Sequence, residues 1–283
     1  KDINGQWRSG SEFLYESGNN ADQIIFLSRI FPIILTLLTI IIIYIWGREL
    51  LGNSWAFIPT IFFGLSPTVL AHGHYVTTDM AAAFGILLAS YLFLKFLRVA
   101  NSKNLFWAGI GLGIALLSKF STFLLLPYFL IILAIWLFNP NRNAGNAIYK
   151  TRWFYIKSFI LILIIAFILI YIVYFFLTLN YPIPKQTSDT TFILSSFNPR
   201  WLPELVINLS ERSITRPLAH YLLGLLMVVQ RAGGGTTSYF LGEVSAAGSK
   251  LYFPIVFILK ETIPSLILIL LGLLLSIKVF FNK

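Results

Sequence analysis

The residues with chemistry to offer stand in four short stretches of an otherwise apolar chain. The first is Ala71-His72-Gly73-His74-Tyr75-Val76-Thr77-Thr78-Asp79-Met80, two imidazoles and a carboxylate in one tight turn. Thr77 or Thr78 can cap a following helix, and Asp79 in its first turn complements the helix dipole. Capping leaves both histidines unexplained, so a role toward a ligand stands beside it. His72, His74 and Asp79 are also metal-ligand types, which makes a divalent metal one option, although three ligands at this spacing are a weak signature. The second stretch is Ser118-Lys119-Phe120-Ser121-Thr122, where the lysine either snorkels to the membrane interface or holds an anion such as a lipid phosphate. In the third, Gln230-Arg231 leads into Gly233-Gly234-Gly235 and on to Glu243. That is either a flexible turn or a loop whose backbone passes close to a ligand between a cation and a carboxylate. The fourth is Lys260-Glu261 inside the last apolar run, an ion pair or a second cation near the level of Lys119.

The elements that must position these groups are membrane spans. Only 11% of the 283 residues are charged and the mean hydropathy is +0.80. Soluble domains carry about 25% charge, so this chain cannot cover its own surface with polar groups and lipid must cover it. There is no cysteine, which excludes a disulfide framework and a thiolate metal site. About 20 apolar residues cross a bilayer core. Seven apolar runs approach that length: 30–46, 55–71, 80–97, 105–117, 120–138, 156–179 and 252–277. Residues 1–179 form the expected transmembrane core, 180–251 a non-cytoplasmic loop region, and 252–283 the last transmembrane helix. Within the loop region Pro217 to Val229 is apolar but short, which suits an interfacial helix better than a span.

The formal charge of +10 suggests nucleic acid only until the charges are placed. They sit in short loops between spans, not on the face of a soluble domain. Alternating the loops puts Arg48, Lys95, Arg98, Lys103, Arg142, Lys150, Arg152, Lys157, Lys278 and Lys283 on one side against Glu49 alone. Eleven bases and ten acids remain for the other side. The basic side is cytoplasmic by the positive-inside rule. His72, His74, Asp79, Lys119, Arg231, Glu243 and Lys260 then all fall on the non-cytoplasmic side.

The run from Glu12-Phe13-Leu14-Tyr15 through Ala21-Asp22-Gln23 to Ser28-Arg29, with Trp46-Gly47-Arg48-Glu49-Leu50-Leu51-Gly52 and Leu65-Ser66-Pro67, resembles one membrane-enzyme family. So do His74-Tyr75-Val76-Thr77-Thr78-Asp79-Met80, Leu117-Ser118-Lys119-Phe120, Ser238-Tyr239-Phe240-Leu241-Gly242-Glu243 and Tyr252-Phe253-Pro254 with Lys260. These motifs, in this order, are similar to those of the phospholipid-carrier-dependent glycosyltransferases related to protein O-mannosyltransferases (glycosyltransferase family 39, GT-C fold). The resemblance covers most of the chain. It implies an all-α, polytopic, GT-C-like helical bundle whose outer region carries short helices.

It further implies transfer of a sugar from a polyprenyl-phosphate donor to a protein, lipid or glycan acceptor on the non-cytoplasmic face, as in a bacterial inner membrane. By the same resemblance Lys119, Arg231 and Lys260 are the cations for the departing phosphate. Asp79 is an assisting catalytic group, and His72, His74 and Glu243 bind hydroxyls of sugar or acceptor. Two departures qualify this. The family's catalytic base lies in the first outer loop before a His-Pro-Pro-Leu stretch, and Lys1-Asp2 resembles the residues immediately after that stretch. The first span and the base are therefore expected upstream of residue 1, leaving the fragment inactive alone. Relatives also place a histidine near the position of Arg231. No cofactor is implied with certainty, a divalent metal being the one option, and no nucleic acid is expected. A transporter or flippase for a lipid-linked or anionic substrate is the alternative. Against it stand the lack of an internal repeat and polar residues at span ends on one side rather than at mid-membrane. A structural membrane subunit is a third class, which a test for consumption of a lipid-linked sugar would separate.

Overall fold

The computed structural model describes residues 5–138, 150–234, 237–246 and 248–281; Lys1, Asp2, Arg142, Gly235 and Lys283 lie outside them. In chain order the helices are α1 (Gln6–Ser11), α2 (Ala21–Ser28), α3 (Ile30–Leu51), α4 (Phe57–Gly64), α5 (Pro67–His72), α6 (Asp79–Arg98) and α7 (Ser102–Ser118). A 3₁₀ turn (Phe120–Leu124) leads into α8 (Leu125–Phe138), then α9 (Arg152–Thr178), α10 (Ile183–Ile193), α11 (Trp201–Ser210) and α12 (Arg216–Gly233). A hairpin of β1 (Ser238–Phe240) and β2 (Glu243–Ser245) precedes α13 (Tyr252–Lys260) and α14 (Ile263–Phe281). The chain is thus an all-α polytopic membrane protein. It divides into two compact units, one of Lys1–Leu27 with Ala81–Gly234, the other of Ser28–Met80 with Gly235–Lys283.

In the first unit α6, α7, α8 and α9 share one core. Phe93 and Phe96 of α6, Leu112 and Leu116 of α7, Phe129 of α8, and Ile162, Ala166 and Ile170 of α9 are all but excluded from solvent. Lipid tails are as apolar as these side chains, so close packing must hold the bundle together. Helix α7 supplies it through small residues. A Cβ on Gly109 would stand 2.6 Å from Ile165 Cβ on α9, and one on Gly113 would stand 2.9 Å from Leu169 Cδ2. The outward seam of α9, Ile160, Ile164, Ile168 and Ile172, is about half exposed and repeats every four residues, the pattern of a lipid-facing helix side.

Residues 180–234 form an ordered cap where a loop region with one interfacial helix is expected. Helices α10, α11 and α12 enclose their own core of Leu194, Phe197, Val206, Ala219, Leu223 and Leu226. Gln186 is 1% exposed, and its Nε2 donates to Arg216 O at 3.1 Å. Gln230 Nε2 donates to Ser196 Oγ at 2.7 Å. Prolines in the first helical turn open both α10 and α12, where the missing N–H costs nothing. Helix α12 is strongly amphipathic and, among the described residues, is not one of the helices long and apolar enough to cross a membrane.

Among the described residues four helices pass that test (Ala21–Leu51, Asp79–Arg98, Phe120–Phe138 and Arg152–Thr178), and a fifth span results if α13 and α14 count as one. Two of the seven expected runs break locally. The run 55–71 divides into α4 and α5 at Leu65-Ser66, because Pro67 opens a new helix after an extended Ser66. The run 252–277 bends by 119°, because Thr262-Ile263-Pro264-Ser265 restarts a helix. Thr262 Oγ1 and Ser265 Oγ lie 2.8 Å apart across that start, and proline occupies its first turn. The run 105–117 lies in the 17-residue α7, which is buried over most of Ala108–Leu116.

Candidate active site

In the second unit the His72–Asp79 turn is clamped from below. Gly73 N donates to Val69 O at 2.7 Å, and Thr36 Oγ1 on α3 lies 3.4 Å from Gly73 O. A Cβ on Gly73 would stand 2.7 Å from Val69 O and 3.0 Å from Thr36 Oγ1, so only glycine lets the chain leave α5 this closely. Beyond it Tyr75 N donates to His72 O at 3.3 Å and Thr77 N to Tyr75 O at 2.8 Å.

The turn brings three of the expected site residues together. His72 Nδ1 stands 3.9 Å from Asp79 Oδ2, with both side chains more than two-fifths exposed. That distance is too long for a hydrogen bond, and His72 Nδ1 has no hydrogen-bond partner within the protein. A shift of about 1 Å would close it. His74 faces the other way. Its Nδ1 donates to Leu70 O at 2.9 Å, since a carbonyl only accepts, which leaves Nε2 as the lone-pair nitrogen. The ring of Tyr75 is bracketed by both imidazoles, at 6.1 Å from His72 and 4.5 Å from His74. Among the described residues no group of three His, Cys, Asp or Glu is arranged to hold a metal ion. The optional metal set of His72, His74 and Asp79 is therefore not assembled, because His74 is tied to the α5 backbone.

The same unit holds a cavity of about 440 Å³ where both broken helices meet, lined by Phe62, Phe63, Ser66, Val69, Glu261 and Ser265 among others. Glu261, half-buried and extended after α13, faces this cavity, whereas Lys260 in the last turn of α13 is exposed. Of that pair the carboxylate lines the cavity. Glu243 is exposed and is the cross-strand partner of the half-buried Phe240 in the hairpin. Leu241 (φ 51°) and Gly242 (φ 94°) both adopt left-handed conformations there, the requirement of a two-residue type I′ turn.

In the first unit Lys119 is the extended residue (φ −161°, ψ 137°) between α7 and the 3₁₀ turn, half-buried. The hydroxyls expected to flank an anion there do something else. Ser118 Oγ donates to Ala115 O at 2.6 Å. Thr122 Oγ1, 2% exposed, lies 2.6 Å from Ala115 O and 2.7 Å from Lys119 O. Both hydroxyls satisfy carbonyls left open where α7 ends, so they hold the break in shape, and only Ser121 faces outward.

Helix α12 closes over this break. Tyr221 OH reaches Leu116 O at 3.4 Å and its ring lies 5.6 Å from Phe120. Burial, with Tyr174 adding to it, pushes the Tyr221 phenol up to about 12, so it stays a donor. Gly224 makes room for the Phe120 ring, since a Cβ there would stand 2.1 Å from Phe120 Cζ. Arg231 lies about two turns further on, exposed in the last turn of α12, where a cation suits the helix dipole.

A polar knot at the start of α12 was not anticipated from the sequence. The Arg216 guanidinium donates to Thr178 O and Tyr181 O at the end of α9. His220, whose imidazole is held neutral by burial and by Arg216, lies between the rings of Tyr174 and Tyr181, at 6.0 and 5.7 Å. Tyr181 OH donates to Asp189, which Lys185 also binds at 2.7 Å. The run Arg216-Pro217-Leu218-Ala219-His220 carried the signal, an ionisable residue inside an apolar helix.

The family model described as dolichyl-phosphate-mannose-protein mannosyltransferase matches residues 1–180 of the chain. That range includes His72, His74, Asp79 and Lys119, while Arg231, Glu243 and Lys260 lie beyond it. No curated protein and no solved structure matches the chain significantly.

Proposed function

Because the chain belongs to the dolichyl-phosphate-mannose-protein mannosyltransferase family, and so is a membrane glycosyltransferase, we propose that it moves a mannosyl group from a polyprenyl phosphate of the dolichyl type to a protein acceptor on the non-cytoplasmic face. The observation that carries this reading is Lys119, a half-buried cation at the end of α7 whose backbone is fixed by Thr122 and covered by α12. A departing lipid phosphate needs a preorganised positive charge of this kind.

In the reaction a base takes the proton of the acceptor hydroxyl, the oxygen bonds to the sugar C1, and the C1–O bond to phosphate breaks. The lipid phosphate leaves with the electron pair, and the anomeric configuration inverts. Lys119 neutralises that phosphate. Asp79, accepting from His72 Nδ1, polarises that imidazole, so the turn binds sugar or acceptor hydroxyls through His72 Nε2 and His74 Nε2. Arg231, Lys260 and Glu243 remain secondary candidates for the same substrates.

The test is chemical. The purified full-length protein, given dolichyl-phosphate mannose and an acceptor peptide, should release dolichyl phosphate and mannosylated peptide in equal amounts. Movement of the intact donor across a vesicle bilayer without cleavage of the C1–O bond would replace this reading with the transporter or flippase.

A further inference from the structure

One cavity of the first unit has no part in the chemistry above. It encloses about 740 Å³ where the end of α6, the start of α7 and the start of α9 meet, within the 300–1,000 Å³ range of small-ligand pockets. Its cations are Arg98, Lys150 and Lys157, and no acid lines it among the described residues. Asn101, Ser102 and Ser158 add polar groups, the last only 3% exposed. Lys150 Nζ stands 5.3 Å over the Phe154 ring, so an aromatic wall orients one cation. The positive ends of α7 and α9 are also at this cavity, because Asn101 caps α7 and Lys150 directly precedes the α9 cap, Thr151. Each term favours an anion, and together they suit a phosphate.

A second feature separates a lipid phosphate from a soluble one. One turn of α9 beyond Lys157 begins an almost wholly apolar groove of about 370 Å³, lined by Ile160, Ile164, Phe167, Ile168 and Tyr171 with Leu218 of α12. Ile160 to Tyr171 spans about 16 Å of helix at 1.5 Å per residue, a length that suits much of one acyl chain. A free phosphate has no use for it. Arg98, Lys150 and Lys157 also belong to the basic side of the charge distribution, the leaflet richest in anionic lipid.

The geometry points to a binding site for an anionic phospholipid on the cytoplasmic face, its phosphate held by Arg98, Lys150 and Lys157 and one chain lying along α9. The site is independent of the donor site, because none of its residues takes part in transfer.

The test compares the full-length protein with the triple variant Arg98→Gln/Lys150→Gln/Lys157→Gln in detergent, with dioleoylphosphatidylglycerol, dioleoylphosphatidylcholine or inorganic phosphate added. Native mass spectrometry counts retained lipid and a thermal melt reads stabilisation. The wild type should retain one phosphatidylglycerol in preference to phosphatidylcholine and melt several degrees higher with it. The triple variant should lose that occupancy at least tenfold while keeping its transfer rate in neutral detergent. Arg98→Lys/Lys150→Arg/Lys157→Arg should keep the occupancy, which separates charge from folding. Equal retention of phosphatidylglycerol by wild type and triple variant overturns the site. Stabilisation of the wild type by inorganic phosphate alone, without lipid retention, overturns the lipid assignment in favour of a soluble anion. A triple variant that no longer folds leaves the charge-conserving variant to decide, by keeping or losing phosphatidylglycerol.

Discussion

Replacing Gly224 with alanine puts a methyl group where the Phe120 ring now lies. The new Cβ would stand 2.1 Å from Cζ and within 2.8 Å of both Cε atoms, against an ordinary contact of 3.4–4 Å, so ring or helix must give by more than 1 Å. The ring has little freedom, because Tyr221 lies 5.6 Å away on one side and Lys119 is held next to it through Thr122. Overpacking of this size costs about 1–3 kcal/mol. A shift passed to Lys119 would misplace the phosphate cation by up to about 1 Å, which can cost about 100-fold in rate. The assay is a melt of the full-length protein beside mannosyl transfer at saturating acceptor. Gly224→Ala should melt several degrees lower and transfer at least tenfold more slowly. Phe120→Leu removes the ring atoms that clash, so Gly224→Ala/Phe120→Leu should recover more stability than the two single effects summed. A Gly224→Ala variant with unchanged melting and transfer, or a double variant that is merely additive, refutes the packing argument.

Two further outcomes are expected from the same geometry. Gly109→Val should push α7 off α9 and lower stability by roughly 1–3 kcal/mol, since even a Cβ there stands 2.6 Å from Ile165 Cβ; Gly272→Val, with nothing within 4 Å, should be silent in the same melt. The α10–α12 cap should loosen at both pH extremes, as read by tyrosine absorbance and circular dichroism. Tyr181 is pushed up to about 12 from 10.0 by burial first and then by Asp189. A raised pKa means stability present below pH 10 and lost as pH rises through about 12. Asp189 is held below its usual 3.8, first by the Lys185 hydrogen bond and then by Tyr181. Its contribution is present above that value and is lost as pH falls through the depressed one. Asp189→Asn should flatten the acid limb, and an unchanged limb would exclude this pair as its source.

Much of the bundle was legible because long apolar runs have few alternatives. Helix α6 matches its expected run at both ends to within one residue; α3 starts at the expected Ile30 but runs on to Leu51, α8 ends at the expected Phe138 but starts at Leu125 after the 3₁₀ turn, and α9 begins early at Arg152. The breaks were harder to see. Ser66-Pro67 and Thr262-Ile263-Pro264-Ser265 are helix starts written in local turn chemistry, and hydropathy averaged over a whole span hides them. The cap was hidden for the opposite reason. Gln186, Thr190 and Ser210 look like loop residues, yet each is at most 1% exposed: Gln186 Nε2 and Ser210 Oγ reach Arg216 O and Thr187 Oγ1 on neighbouring helices only once these have packed, while Thr190 Oγ1 donates to Gln186 O within α10.

The site was legible in residue types more than in roles. His72 and Asp79 were found together, but whether a hydroxyl serves a carbonyl or a ligand depends on backbone geometry. Ser118 and Thr122 turn to Ala115 O, and His74 turns to Leu70 O. Of the pair Lys260-Glu261, the charge at the cavity is the carboxylate, because the bend at Thr262 faces Glu261 inward and leaves Lys260 in the exposed last turn of α13.

The central claim is that Lys119 carries the charge of the departing lipid phosphate. Lys119→Met, of similar length, keeps the stem and removes the charge. In the full-length protein with dolichyl-phosphate mannose and an acceptor peptide, it should lower kcat at least 100-fold, about 2.7 kcal/mol of lost transition-state stabilisation, with membrane insertion and melting unchanged. Lys119→Arg should retain measurable transfer. Near-normal kcat for Lys119→Met would contradict the account, because no other residue has been given that role at the break after α7.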